Sequence, residues 1–97
     1  MVAMLIRTFL QFAGERVGKL GEEARNGRWE EVASIAHSIK SSARQLGANS
    51  LGDACAKAEE AGRKGDIPAA SAGVSEIERE FAVACEWMQT LTGGTSA

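Results

Sequence analysis

His37 is the single histidine of this 97-residue chain, and Lys40 and Arg44 follow it one and two helical turns on. At about 100° per residue, Val32, Ile35, Ala36, Ile39, Ala43 and Leu46 fall on one apolar stripe, while His37 lies about 140° from Val32. The imidazole is therefore expected to point away from the core. Its other close neighbours, Ala33 and Ser41, are small. A neutral imidazole is nucleophilic through the nitrogen that lacks the proton, and a hydrogen bond at one nitrogen decides which that is. Two cations on the same flank suit an anion. The lack of bulk around the ring suits an anion that a large partner delivers.

A second set of residues matches the first. Gly52, Ala56, Glu59 and Arg63 share one angle on a later helical segment, off the stripe that begins at Leu51. If the two segments pack antiparallel, Glu59 and Arg63 flank His37, with Gly52 and Ala56 leaving space. Glu59 is then placed to accept from a ring N–H, and Lys40 to face phosphoryl oxygens as a point charge. The plainer reading of Glu59 and Arg63 is an i,i+4 salt bridge on a wet face, worth a few tenths of a kcal/mol.

Four helices are expected to position these groups. In the first, roughly residues 3–25, Ile6, Phe9, Leu10, Ala13, Val17, Leu20 and Ala24 keep three-four spacing. Gly14, Gly18 and Gly21 weaken it and suggest close helix packing, and Asn26-Gly27 ends it. The second, roughly 29–46, carries His37 and stops at Gly47. Ser50 and Asp53 read as a capping box for the third, which runs to about Lys64 with Leu51, Ala54, Cys55, Ala58 and Gly62 inward. Asp66 is a candidate cap for the last, with Pro68 tolerated in its first turn. There Ile67, Ala70, Val74, Ile77, Phe81, Ala84, Met88 and Leu91 form a near-heptad seam. Short connections predict an all-α, antiparallel up-down four-helix bundle over residues 1–92, with His37 exposed on the second helix and 93–97 a flexible tail.

Composition narrows the function. Ninety-seven residues make one domain with a modest core, and one proline, no tyrosine and an Ala/Glu/Leu/Lys/Arg-rich text argue for helices. Eleven basic against thirteen acidic residues give a net charge of −2, which leaves no broad nucleic-acid footprint. No run of about 18 apolar residues exists to span a membrane. Arg7 interrupts the apolar start, which reads as helix and not as a signal peptide. Cys55 and Cys85 lack metal-ligand spacing and read as buried free thiols of a reducing cytosol. A cytoplasmic monomer is expected, with no metal site of its own.

The run Ala36-His37-Ser38-Ile39-Lys40-Ser41-Ser42-Ala43, then Leu46-Gly47-Ala48, Leu51, Cys55, Glu59 and Arg63, resembles the histidine-containing phosphotransfer (HPt) domain of multistep phosphorelays. The likeness extends from about Phe9 to the last helix and is most specific over residues 36–63. It implies that His37 accepts a phosphoryl group from a phospho-aspartate of one response-regulator receiver domain and passes it to another. It further implies that Lys40 lies near the phosphoryl group and that Glu59 orients the imidazole. Arg63 is a weaker match, to a basic position on the same face. Ser41 stands where the commonest family motif has glycine. Ala33, Ser41, Arg44, Gly52, Ala56 and Arg63 would then line the docking face. The implied partners are receiver domains, with a hybrid sensor histidine kinase as a further candidate. Mg²⁺ would come with the receiver, since this chain lacks an acidic cluster to hold it. Such a protein is a phosphocarrier and not an independent enzyme.

Two rivals differ in class. An enzyme using His37 as general base needs a substrate-shaped cavity, and the text instead describes a solid bundle. A docking module for receiver-like partners that carries no phosphate needs neither His37 nor Lys40, and both are present.

Overall fold

The computed structural model describes residues 2–91, with the side chains of residues 4–90. It contains four helices: α1 (Val2–Arg25), α2 (Trp29–Gln45), α3 (Asn49–Lys64) and α4 (Ile67–Leu91). Among the described residues there is no strand. The expected tail, 93–97, lies outside them.

Each helix break is built the same way. Gly27, Gly47 and Gly65 sit at φ of +74°, +82° and +76°, a region open to glycine because it has no Cβ. The residue after each glycine then closes back five positions: Arg28 N to Glu23 O at 3.0 Å, Ala48 N to Ala43 O at 2.8 Å, and Asp66 N to Ala61 O at 3.0 Å. These bonds satisfy carbonyls that a helix end would leave orphaned. Asp66 caps α4 as expected, its Oδ1 accepting from Ala69 N at 3.3 Å. The capping box at Ser50 does not form. The turn after Gly47 is so short that α3 starts at Asn49, with Ala48 as its cap residue and no side-chain cap bond. Ser50 is already inside the first turn, and Asp53 pairs with Arg44 instead.

The helices pack as neighbours, α1 with α2, α2 with α3, α3 with α4, and α4 with α1. Phe9, Leu20, Ile39, Leu51, Ile77 and Met88 lie in the core between them. Along α4, Ala70, Val74, Ile77, Ala84 and Met88 are buried as the seam requires. Two seam positions differ from expectation. Ile67 is half exposed because it is the first residue of its helix. Phe81 is only partly buried, packed on the edge of the core. The side chain of Leu91 lies outside the described ones. No helix among the described residues is long and apolar enough to cross a membrane.

Among the glycines, the tightest meetings with a neighbouring helix's backbone are at Gly62 and Gly73 and not at the three on α1. A Cβ on Gly62 would lie 2.8 Å from the Trp29 carbonyl oxygen, and one on Gly73 would lie 2.9 Å from Ala58 Cβ and 3.0 Å from its Cα. Gly62 therefore lets α3 close onto α2, and Gly73 lets α4 close onto α3. Gly18, by contrast, has nothing within 4 Å of a Cβ. The two classes of glycine predict opposite responses to alanine. Gly73→Ala meets backbone atoms, and the roughly 1–3 kcal/mol cost of overpacking should exceed the helix-propensity gain of about 1 kcal/mol. Gly18→Ala should stabilise by roughly 0.5–1 kcal/mol. Urea unfolding measures both, and a stabilised Gly73→Ala would contradict this packing.

Candidate functional site

Because Gly62 brings α3 onto α2, the Glu59 carboxylate reaches across the helix pair. Its Oε2 lies 3.0 Å from His37 Nδ1. Lys40 Nζ donates to Oε1 at 2.7 Å. Arg63, one turn on along α3, directs Nη2 and Nε at Oε2 from 3.3 and 3.4 Å. One carboxylate thus gathers the histidine, the lysine and the arginine of the sequence motif. The Glu59 side chain is 14% exposed and that of His37 56% exposed, so the anchor is mostly sheltered while the ring faces solvent.

The protonation pattern follows. Burial alone would raise the Glu59 carboxyl, but the bond and charge of Lys40, then His37 and Arg63, outweigh it and hold the group below its ordinary value. Glu59 is therefore a carboxylate at neutral pH, an acceptor only. The imidazole nitrogen that faces it must bring the proton, which makes Nδ1–H the donor in the neutral ring. Nε2 is left with its lone pair free, on the opposite edge of the ring.

The remaining expected residues divide. Ser41 is exposed, and its hydroxyl donates to the His37 carbonyl oxygen at 3.3 Å. Ala56 is half-buried on α3. Ala33, expected beside the ring at the surface, is fully buried. The helical wheel treated α2 as burying one stripe, whereas α2 packs against both α1 and α3 and buries a wider arc. Ala33 lies in the second contact, 3.2 Å from where a Cβ on Gly62 would be. Gly52 is buried too, and the space it was expected to leave open is filled by Arg44, whose Cγ lies 2.9 Å from where a glycine Cβ would be. Arg44 continues to Asp53 Oδ1 at 3.3 Å and does not join the Glu59 cluster. Lys40 is less exposed than its wheel position implied, with 22% of its side chain accessible. Asp53 and Gly62 were not singled out for the site. An opposite charge nine residues from Arg44 across a turn, and a glycine on the inward face of a helix, were the available signals.

Cys55 is fully buried beneath this cluster, and burial pushes its thiol up to about 12 against the opposing charges of Lys40 and Arg44. It is a packing residue. Among the described residues, no group of three or more His, Cys, Asp or Glu side chains is arranged to hold a metal ion.

A family model, that of the Hpt domain, matches residues 4–87 of the chain. No curated protein and no solved structure gives a significant match.

The lowered Glu59 carboxyl has a consequence for stability. Its contribution is fully present above the ordinary value of 4.5 and is lost as pH falls through the folded value. Glu59→Gln removes that contribution at every pH. The stability gap between parent and variant should thus be full at neutral pH and close as the solution is taken well below pH 4.5. Urea unfolding across that range reads the gap, and a gap independent of pH would contradict the ion cluster.

Proposed function

Because this chain belongs to the Hpt domain family, whose members are phosphocarriers of two-component phosphorelays rather than enzymes, we propose that His37 is its phosphoacceptor. His37 takes the phosphoryl group from a phospho-aspartate of one response-regulator receiver domain and gives it to the aspartate of another. The observation that carries this reading is the 3.0 Å contact between His37 Nδ1 and Glu59 Oε2. It leaves Nε2 as the free nucleophile on a ring that is 56% exposed.

The step is a displacement at phosphorus. The Nε2 lone pair forms the N–P bond while the P–O bond to the receiver aspartate breaks, and that carboxylate leaves with the bonding electrons. Nδ1 keeps its proton, so the phosphorylated ring is an imidazolium facing the Glu59 carboxylate. Lys40 is held on Glu59 Oε1 at 2.7 Å, and to face the phosphoryl oxygens, as the family likeness implies, it has to swing from that carboxylate toward the Nε2 edge of the ring. A docked receiver domain would bring Mg²⁺ on its own side, and that ion would supply positive charge toward the phosphoryl oxygens. The work of this chain is positioning and electrostatics.

Connections of two or three residues between helices packed side by side require each helix to reverse the last, so the bundle is read as up-down. That order sets α2 and α3 antiparallel and brings His37, Ser41 and Ala56 to one side for a receiver to approach, with Arg44 and Arg63 at its edges.

Incubation with a phosphorylated receiver domain should give the parent an acid-labile, base-stable phosphate. His37→Gln should abolish the label with the helical circular-dichroism signal unchanged, and label surviving there would remove His37 from the role. A companion variant tests the docking side. Ala56→Arg should keep the helical circular-dichroism signal, because arginine is a good helix former and its long stem carries the charged head to water from a half-buried position. It should slow transfer from the receiver while leaving phosphorylation by phosphoramidate largely intact. Unchanged transfer from the receiver would take α3 out of the docking face.

A further inference from the structure

We infer that Arg63 is a positioning residue that acts through Glu59, limiting the carboxylate's hold on His37 so that the phosphoryl group is readily passed on. The inference rests on the reading of His37 as phosphoacceptor. Two i,i+4 pairs lie next to each other on α3, and they differ in kind. Lys64 and Glu60 meet at 2.9 Å with both side chains more than two-thirds exposed, an ordinary surface pair. Arg63 instead pairs with a carboxylate that is 14% exposed and turned toward α2. Arg63 itself is 58% exposed, so packing does not account for it.

The distribution of bonds over the carboxylate gives the effect its sign. Among the described residues, Oε1 serves Lys40 alone, whereas Oε2 is shared between His37 Nδ1 at 3.0 Å and two Arg63 nitrogens at 3.3 and 3.4 Å. Forming the N–P bond at Nε2 places a positive charge on the ring, and Oε2 is the protein's anionic atom in contact with that ring, at Nδ1. Arg63 draws on the same oxygen and sets a fixed cation beside it. With Lys40, two cations then face one carboxylate, so the imidazolium of phosphohistidine is less stabilised than Glu59 alone would make it. Breaking the N–P bond relieves this, because the electron pair returns to Nε2 and the ring becomes neutral. The phosphoryl group itself sits on the ring edge opposite Glu59, so Arg63 acts first on the ring.

The test uses the full chain phosphorylated with phosphoramidate, following loss of phosphate in buffer and transfer to a purified receiver domain. Arg63→Ala should lengthen the phosphohistidine half-life by about 1.4- to 5-fold, the span of an exposed ion pair worth roughly 0.2–1 kcal/mol. It should slow transfer in the same proportion. Arg63→Lys, which keeps a cation one turn from Glu59, should return both toward the parent. In a Glu59→Gln background, Arg63→Ala should change neither, since the route through the carboxylate is gone. An unchanged half-life in the single variant overturns the inference. A shortened one does so as well, because it would mean that Arg63 holds the phosphoryl group directly. Either result leaves the role of His37 standing, whereas a parent that takes no label at His37 removes both readings.

Discussion

The arrangement at His37 depends on one carboxylate that belongs to a different helix. Glu59 is mostly sheltered, and an unpaired carboxylate in such a place carries a desolvation penalty. Three partners with proton-bearing nitrogens remove that cost, two of them from α2 and one from α3. The same bonds that keep the anion tolerable also fix the ring of His37. Loss of Glu59 would therefore leave Lys40 partly buried without its counter-charge and leave the imidazole free to choose its tautomer.

The carboxylate reaches its partners only because the helices come close enough. Gly62 and Ala33 make the approach of α3 to α2, where any larger side chain would meet the Trp29 carbonyl. Gly73 sets α4 against the other side of α3. The helix that carries Glu59 is thus clamped between two neighbours by residues with little or no side chain. Ile39, Leu51 and Cys55 belong to the buried core behind this helix pair. A rigid base under an exposed ring suits a reaction in which the other reactant arrives on a folded domain.

Features decided within one turn of chain were legible in the sequence. The breaks at Gly27, Gly47 and Gly65, the Asp66 cap and the outward angle of His37 all depend on nearby residues, and the structure has each of them. The meeting of His37 with Glu59 was also legible, because two helices joined by a short turn bring matching faces together. What failed depended on how neighbours approach. Ala33 looked exposed when α2 was treated as having one buried stripe, but α3 covers a second. Gly52 looked like open space, yet a long side chain from the facing helix lies over it. Ser50 looked like a cap, and only the compactness of the preceding turn decides that α3 starts before it. Charge pairing across the turn, from Arg44 to Asp53, was likewise invisible to a reading of each helix on its own.

If Glu59 holds the Nδ1 proton of His37, Nε2 is the atom left to take phosphate. Long-range proton–nitrogen NMR of the imidazole, recorded before and after phosphorylation, tests it directly. The expected result is a neutral ring protonated at Nδ1 and a phosphorylated ring bonded to phosphorus through Nε2. A resting proton on Nε2, or a phosphoryl group on Nδ1, would contradict it.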